Sequence, residues 1–227
     1  MKAYNAKDIR NIAIAGHSGR GKTTLAEAML FLAKATDRLG RVADGNTVLD
    51  FDAEEKRRKV TIATAMAAFD WNNTKINLLD TPGLFDFAGG VSEGMRAAES
   101  ALIVLAAGSG VDVGAEKAYK AASERKIAKL FAVTRCDAEN TDFYKTFDAL
   151  KEEYGAPVCP VVVPYMEGDA VKGYVDFSTG KAYGYNGGKA SEIAMPADDR
   201  IEEMKEVFNE AVASADEELM EKFFEGE

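Results

Sequence analysis

The stretch Gly16-His-Ser-Gly-Arg-Gly-Lys22-Thr23 constrains this chain more than any other feature. It fits the pattern Gly-x-x-x-x-Gly-Lys-Ser/Thr, and it stands between a strand and a helix. Arg10 to Gly16 reads as a short buried strand. Leu25, Ala28, Met29 and Leu32 then recur at i, i+3, i+4 and i+7, one apolar stripe of a helix. Glycines let the backbone curl so that successive N–H groups converge, and the start of the helix adds partial positive charge. Gly16, His17, Ser18, Gly19, Arg20, Gly21, Lys22 and Thr23 are therefore expected to cradle phosphates. Lys22 would reach the β- and γ-phosphates of a nucleotide, and the Thr23 hydroxyl would ligate Mg²⁺. The bland alternative is a chance glycine-rich turn.

The rest of the chain alternates apolar strands with helix-period segments, an α/β signal. Residues 37–62 are polar and charged without a sustained period, and so long a connection is usually functional or mobile. Thr64 to Trp71 and Thr74 to Asp80 read as two strands joined at Asn72-Asn73. Gly83 to Glu93 reads as a glycine-rich loop. Ser100 to Ala107 is an apolar run expected of a strand buried on both faces. Gly114 to Lys126 reads as a helix, Lys129 to Thr134 as a strand, and Phe143, Phe147, Leu150 and Tyr154 as a helix face. After Pro157 the texture changes to three short β-like pieces, Val158–Val163, Gly173–Phe177 and Lys181–Tyr185. A helix pattern closes the chain through Ile201, Met204, Phe208, Ala211, Ala215 and Leu219. Two domains are expected, residues 1–157 and 158–227.

Two further sites refine the chemistry. Ile76-Asn-Leu-Leu-Asp80 ends an apolar strand in an acid, followed by Thr81-Pro82-Gly83. Ligands of open parallel sheets bind beyond the carboxyl ends of the strands, so Asp80 is placed to hold Mg²⁺ and the Gly83 N–H to meet a γ-phosphate. An ordinary turn is the alternative. Leu130 to Asp137 ends a later strand. A carboxylate at Asp137 would accept from guanine N1–H and N2–H, whereas adenine would leave it facing a lone pair, a loss of roughly 1–3 kcal/mol. Arg135 would lie over the base. The alternative for Asp137 is a helix N-cap. Thr61 would supply a second hydroxyl to Mg²⁺, on a segment that orders around the γ-phosphate. The run Lys56-Arg57-Arg58-Lys59 would grip RNA phosphates, or is simply a solvated face.

Composition removes other classes. Of 227 residues, 47% are apolar and 29% charged, which excludes a disordered chain or a disulfide scaffold. No run approaches a membrane span and no signal-like segment opens the chain, so no membrane contact and a cytoplasmic location are expected. Cys136 and Cys159 lack zinc spacing and are read as reduced thiols. The net charge of −10 is concentrated at the end, where residues 198–227 hold twelve acids and three bases. That field disfavours non-specific nucleic-acid binding and suits a basic protein partner.

These residues resemble the GTP-binding domain of bacterial elongation factor G and its paralogues among the translational GTPases. The carrying residues are Gly16 to Thr24, Asp50 through Ile62, Asp80 to Gly83 with Asp86-Phe87, and Thr134 to Asp137. Val171 to Asp176, Lys181 to Tyr183 and Asp216 to Lys222 resemble that factor's insertion. The resemblance implies a three-layer P-loop GTPase fold with a mostly parallel sheet, plus an α+β insertion subdomain. It implies GTP or GDP as ligand, held by Gly16 to Thr24, Asp80, Gly83, Thr134, Arg135 and Asp137. Mg²⁺ would be held by Thr23, Thr61 and Asp80. Lys22, Thr61 and Gly83 would serve catalysis. It further implies ribosome-stimulated GTP hydrolysis in translocation or recycling, with ribosomal RNA and the stalk protein as partners.

Four positions depart from the family pattern. Leu84 stands where the family carries a histidine that orients water, and losing a general base typically costs ~10²–10⁴-fold in rate. Thr134-Arg135 stand in place of Asn-Lys, and Gly19 in place of an aspartate. The last strand, its guanine loop and the later domains of the family lie outside the sequence, as expected of an N-terminal fragment. Three rivals follow: a GTP-dependent ribosome-binding switch with little hydrolysis, an ATP-dependent phosphotransferase, and a remnant that binds no nucleotide.

Overall fold

The computed structural model describes residues 3–168, 170–187, 189–215 and 219–221. It divides into two compact units, Met1–Ala106 with Val111–Thr134, and Ala107–Gly110 with Arg135–Glu227.

The first unit is built on five strands: β1 (Ile9–Ala15), β2 (Ala65–Trp71), β3 (Thr74–Asp80), β4 (Ser100–Ala106) and β5 (Ala128–Thr134). Their order is β2-β3-β1-β4-β5. β1, β3, β4 and β5 run parallel, and β2 pairs antiparallel with β3. Asn72 and Asn73 join those two strands with φ of 46° and 63°, the left-handed pair that a tight hairpin demands. The helices are α1 (Lys22–Leu32), α2 (Ala53–Arg58), α3 (Ala88–Ala97) and α4 (Val113–Glu124). Side-chain alternation separates the two faces of the sheet. Ile14, Leu78, Leu102 and Val104 pack with Ala26 and Leu30 of α1. Ala13, Ala15, Leu79, Ile103 and Leu105 carry the other parity, and Met95, Ala115, Ala118 and Ala122 of α3 and α4 are buried as well. β4, an interior strand between β1 and β5, is buried from Ala101 to Ala106. This is why its sequence runs apolar without alternating.

The second unit pairs β6 (Val162–Glu167), β7 (Ala170–Asp176), β8 (Lys181–Asn186) and β9 (Lys189–Ile193) in that order, all antiparallel. Helices α5 (Phe143–Tyr154) and α6 (Asp199–Ala213) complete it. Tyr144, Phe147, Val163, Val175, Phe177, Ala182, Ile201 and Met204 form its core. α5 thus packs with the antiparallel sheet, although the change in sequence texture comes only after it, at Pro157.

Four local expectations are corrected. The expected loop at Gly83–Glu93 holds a 3₁₀ turn at Phe85–Phe87 and then enters α3. Two of the three glycines of α3 serve packing: a Cβ on Gly90 would stand 2.9 Å from Pro82 Cδ, and one on Gly94 would stand 2.5 Å from Thr81 Cγ2, whereas one on Gly89 would meet nothing. The 37–62 segment contains α2, a single short turn with its own capping box between Asp52 and Glu55. β6 begins at Val162, not Val158, and a fourth strand, β9, follows the three expected. Every residue of β9 is exposed, so no buried face marked it, and Lys189 and Glu192 blunt it as edge charges do. α6 ends at Ala213, a turn follows at Ser214 and Ala215, and residues 219–221 are again helical. Asp216–Glu218 and Lys222–Glu227 lie outside the described residues, and with them most of the Asp216–Lys222 resemblance.

Candidate nucleotide site

β1 is buried from Ala13 to Ala15 and delivers the chain into the loop at Gly16. α1 then begins at Lys22 behind Gly21, which is in the left-handed conformation (φ 89°). A helix start leaves its first N–H groups without helical partners. α2, α4, α5 and α6 meet that need with the aspartates Asp52, Asp112, Asp142 and Asp198. α3 also lacks a side-chain cap but continues directly from the 3₁₀ turn at Phe85–Phe87. α1 has no such turn before it, no side-chain cap and no acid in its first turn, the condition for anion binding at a helix start.

Polar side chains converge below this loop. Lys22 is buried, and its Nζ donates to the His17 carbonyl at 3.0 Å. Burial pulls the Lys22 amine below its ordinary range, against the pull of Asp80 and Asp112. Asp80, at the end of β3, is fully buried. Its Oδ2 accepts from the Thr23 hydroxyl at 2.6 Å, and its Oδ1 is buried with no hydrogen-bond partner. Burial pushes the Asp80 carboxyl up to about 7, although the Thr23 hydrogen bond and Lys22 act against it. The Thr61 hydroxyl donates to Asp50 Oδ1 at 2.9 Å, and Thr23 Oγ1 and Thr61 Oγ1 stand 3.0 Å apart. The two hydroxyls are within hydrogen-bond distance of each other, and either can donate.

This arrangement fits magnesium. All donors are hard oxygens, one is an unpartnered buried carboxylate oxygen, and a metal would relieve its burial. No group of three acids, histidines or cysteines among the described residues could hold a metal alone. That is the usual state of a site completed by phosphate and water.

Gly83 closes the cradle from the β3 side. A Cβ there would lie 2.3 Å from Lys22 Nζ and 2.7 Å from the Ser18 nitrogen, so the position admits only glycine. Leu84 follows, half-buried and aliphatic. His17, the sole histidine, sets its ring edge-on to Phe85 at 5.5 Å, and Lys117 Nζ sits 3.9 Å over that same ring. Two ties hold the far side of the loop. The Thr134 hydroxyl lies 2.8 Å from the Arg20 carbonyl and 3.0 Å from the Leu105 carbonyl. Arg20 pairs with Asp112 at 2.8 Å. Gly19 and Thr24 are exposed.

Arg135 and Asp137 belong to the second unit. Arg135 has φ 58° and opens a turn in which Asp137 is exposed. The helix-cap alternative for Asp137 does not hold: Asp142 caps α5, accepting from Tyr144 N at 2.9 Å and Lys145 N at 3.3 Å. The sequence reading missed Asp50, 2% exposed, as the acceptor for Thr61. Nothing local distinguishes it from Asp44 or Asp52; only its burial does. No described helix is long and apolar enough to cross a membrane.

Comparison with known proteins shows the family. The family model of the elongation factor Tu GTP binding domain matches residues 7–225. Among solved structures, the crystal structure of a protein from Thermus thermophilus is 36% identical with a TM-score of 0.89, over 96% of this chain. The match covers 33% of that chain, so this sequence spans about a third of its length. With nearly all of its residues inside the family model, the chain belongs to the elongation factor Tu GTP-binding domain family.

Proposed function

We propose that the chain is the GTP-binding domain of an elongation factor G-like translation factor, which binds GTP and GDP with Mg²⁺ and hydrolyses GTP on the ribosome, in the cytoplasm. The observation that carries the nucleotide half is the set of buried oxygens of Thr23, Thr61 and Asp80 beneath an uncapped helix start, with Lys22 beside them. Magnesium held by those three residues would neutralise charge on the β- and γ-phosphates. Lys22 would bind the same phosphates, and the Gly83 N–H would hydrogen-bond the γ-phosphate as charge develops. Asp137 would select guanine over adenine, and Arg135 would cover the base. Thr134 keeps the loop tied to the strand ends in place of the family's asparagine.

The ribosomal partners rest on the resemblance and on charge. α6 presents Glu202, Glu203, Glu206 and Glu210 at its surface, which suits a basic patch on the stalk protein. The exposed Lys56, Arg57 and Lys59 suit ribosomal RNA, although Arg57 and Arg58 also pair with Glu54.

One observation favours a second reading, a GTP-dependent ribosome-binding switch with little hydrolysis. Leu84 has no group to orient water, and His17 is engaged with Phe85. Phosphate release from GTP, measured on the longer factor with and without ribosomes, decides between the two. The enzyme reading expects stimulation of at least about a hundredfold, the scale of general-base catalysis supplied from outside. A rate unchanged by ribosomes, with GTP still bound, supports the switch. Absence of GTP binding rejects both.

A further inference from the structure

Glu27 and Glu55 have no part in the chemistry above, yet both are 0% exposed. Glu27 stands one turn beyond Thr23 on α1. Its Oε1 accepts from the N–H groups of Val48 at 2.7 Å and Leu49 at 3.1 Å. The next residue is Asp50, the acceptor of the Thr61 hydroxyl. Glu55 grips the other flank. Its Oε1 accepts from Ile62 N at 2.9 Å and Ala63 N at 3.1 Å, the two amides just after Thr61. The capping box explains only the bond from Asp52 N to Glu55 Oε2. Helix capping therefore leaves half of Glu55 and all of Glu27 unexplained.

Burying a carboxylate is costly unless hydrogen bonds replace its hydration. Here each carboxylate takes a pair of amides from a long polar connection whose one buried apolar anchor is Leu49. Those acceptors add to the Thr61–Asp50 and Thr47–Asp50 bonds in fixing one threonine hydroxyl 3.0 Å from Thr23. Gly40 adds a third constraint. Glu27 Oε2 has no hydrogen-bond partner, and a Cβ on Gly40 would lie 2.1 Å from it.

We propose that Glu27 and Glu55 are positioning residues that hold Asp50 and Thr61 against the phosphate site and thereby favour the triphosphate-bound over the diphosphate-bound form. The preference for triphosphate rests on the nucleotide reading above; the grip on residues 48–63 does not.

The test uses Glu27→Met and Glu55→Met in the full chain, which keep side-chain length and remove the acceptors. Without nucleotide, trypsin cleavage at Arg38, Arg41 and Lys56 to Lys59 is expected to quicken about tenfold, because the gripped amides lose their acceptors. Cleavage at the wild-type rate overturns the grip. With Mg²⁺, the ratio of affinities for a non-hydrolysable GTP analogue and GDP is expected to fall about tenfold, with GDP binding within about twofold of wild type. Equal loss for both nucleotides overturns positioning and leaves a merely structural role. Glu27→Gln, which keeps one acceptor oxygen, is expected to restore most of the ratio. If Glu27→Met does not fold, Gly40→Ala asks the same question by displacing the carboxylate, and a wild-type digestion pattern there counts against the grip. A wild-type chain that binds no nucleotide would sink the functional reading and the triphosphate half of this inference, while digestion still decides the grip.

Discussion

The two units bury different kinds of residue. Of the ten polar or charged residues that are buried among the described residues, nine lie in the first unit, from Lys22 to Thr81, and only Thr146 lies in the second. The second unit hides tyrosine, phenylalanine, valine, isoleucine and methionine and buries none of its described acids. An antiparallel sheet backed by two helices needs nothing more to be stable. Buried charge adds little to stability even when paired. Glu27, Asp50 and Glu55 are spent on hydrogen bonds within the connection, so Asp80 and Lys22 are the buried charges left for the proposed metal and polyphosphate.

Substitutions can break that contrast. The largest effect is expected from Lys22→Ala, which removes a buried cation from the phosphates. GDP affinity should fall by about a hundredfold, the lower part of the range for truncating one side of a buried charge pair, as calorimetry would register. Gly83→Ala comes next. Its methyl would meet Lys22 Nζ at 2.3 Å, so affinity for a GTP analogue should drop about tenfold while GDP binding changes less. In the second unit, Met204→Ala should lower stability by about 2–4 kcal/mol in a thermal or urea melt, with GDP affinity unaltered.

A pH experiment sharpens the same comparison. The Asp80 carboxyl titrates at about 7 when folded and at 3.8 by its ordinary value. Between those values the folded chain holds a proton that the unfolded chain has released. Stability from this group is present at low pH and is lost as pH rises from about 4 to 7, with a slope of at most about 1.4 kcal/mol per pH unit. Without magnesium, Asp80→Asn should flatten that slope. Magnesium competes with the same proton, so its affinity should rise over this pH range. The smallest effect is expected on α6, where Glu203→Gln and Glu206→Gln should change stability by less than about 0.5 kcal/mol.

What could be read in advance divides along the same line. The loop from Gly16 to Thr23, the strand before it and the acid ending β3 announce themselves by spacing, because a phosphate cradle needs particular residues at particular intervals. α3 was misread because its glycines look like a flexible loop, whereas Gly90 and Gly94 allow Pro82 and Thr81 to approach the helix. β9 was missed because an exposed edge strand carries no apolar alternation. Asp50, Glu27 and Glu55 were not legible at all. Acids are common in this chain, and only long-range hydrogen bonds separate three structural carboxylates from their solvated neighbours.

The central claim is the proposed binding of a guanine nucleotide, with its phosphates and metal on the buried oxygens under the loop. Calorimetric titration of the chain with GDP and with ADP, each with Mg²⁺, tests it most directly. The account predicts GDP binding at least about a hundredfold tighter than ADP, the discrimination that an unpaired carboxylate imposes. Equal affinity, or preference for ADP, would contradict it.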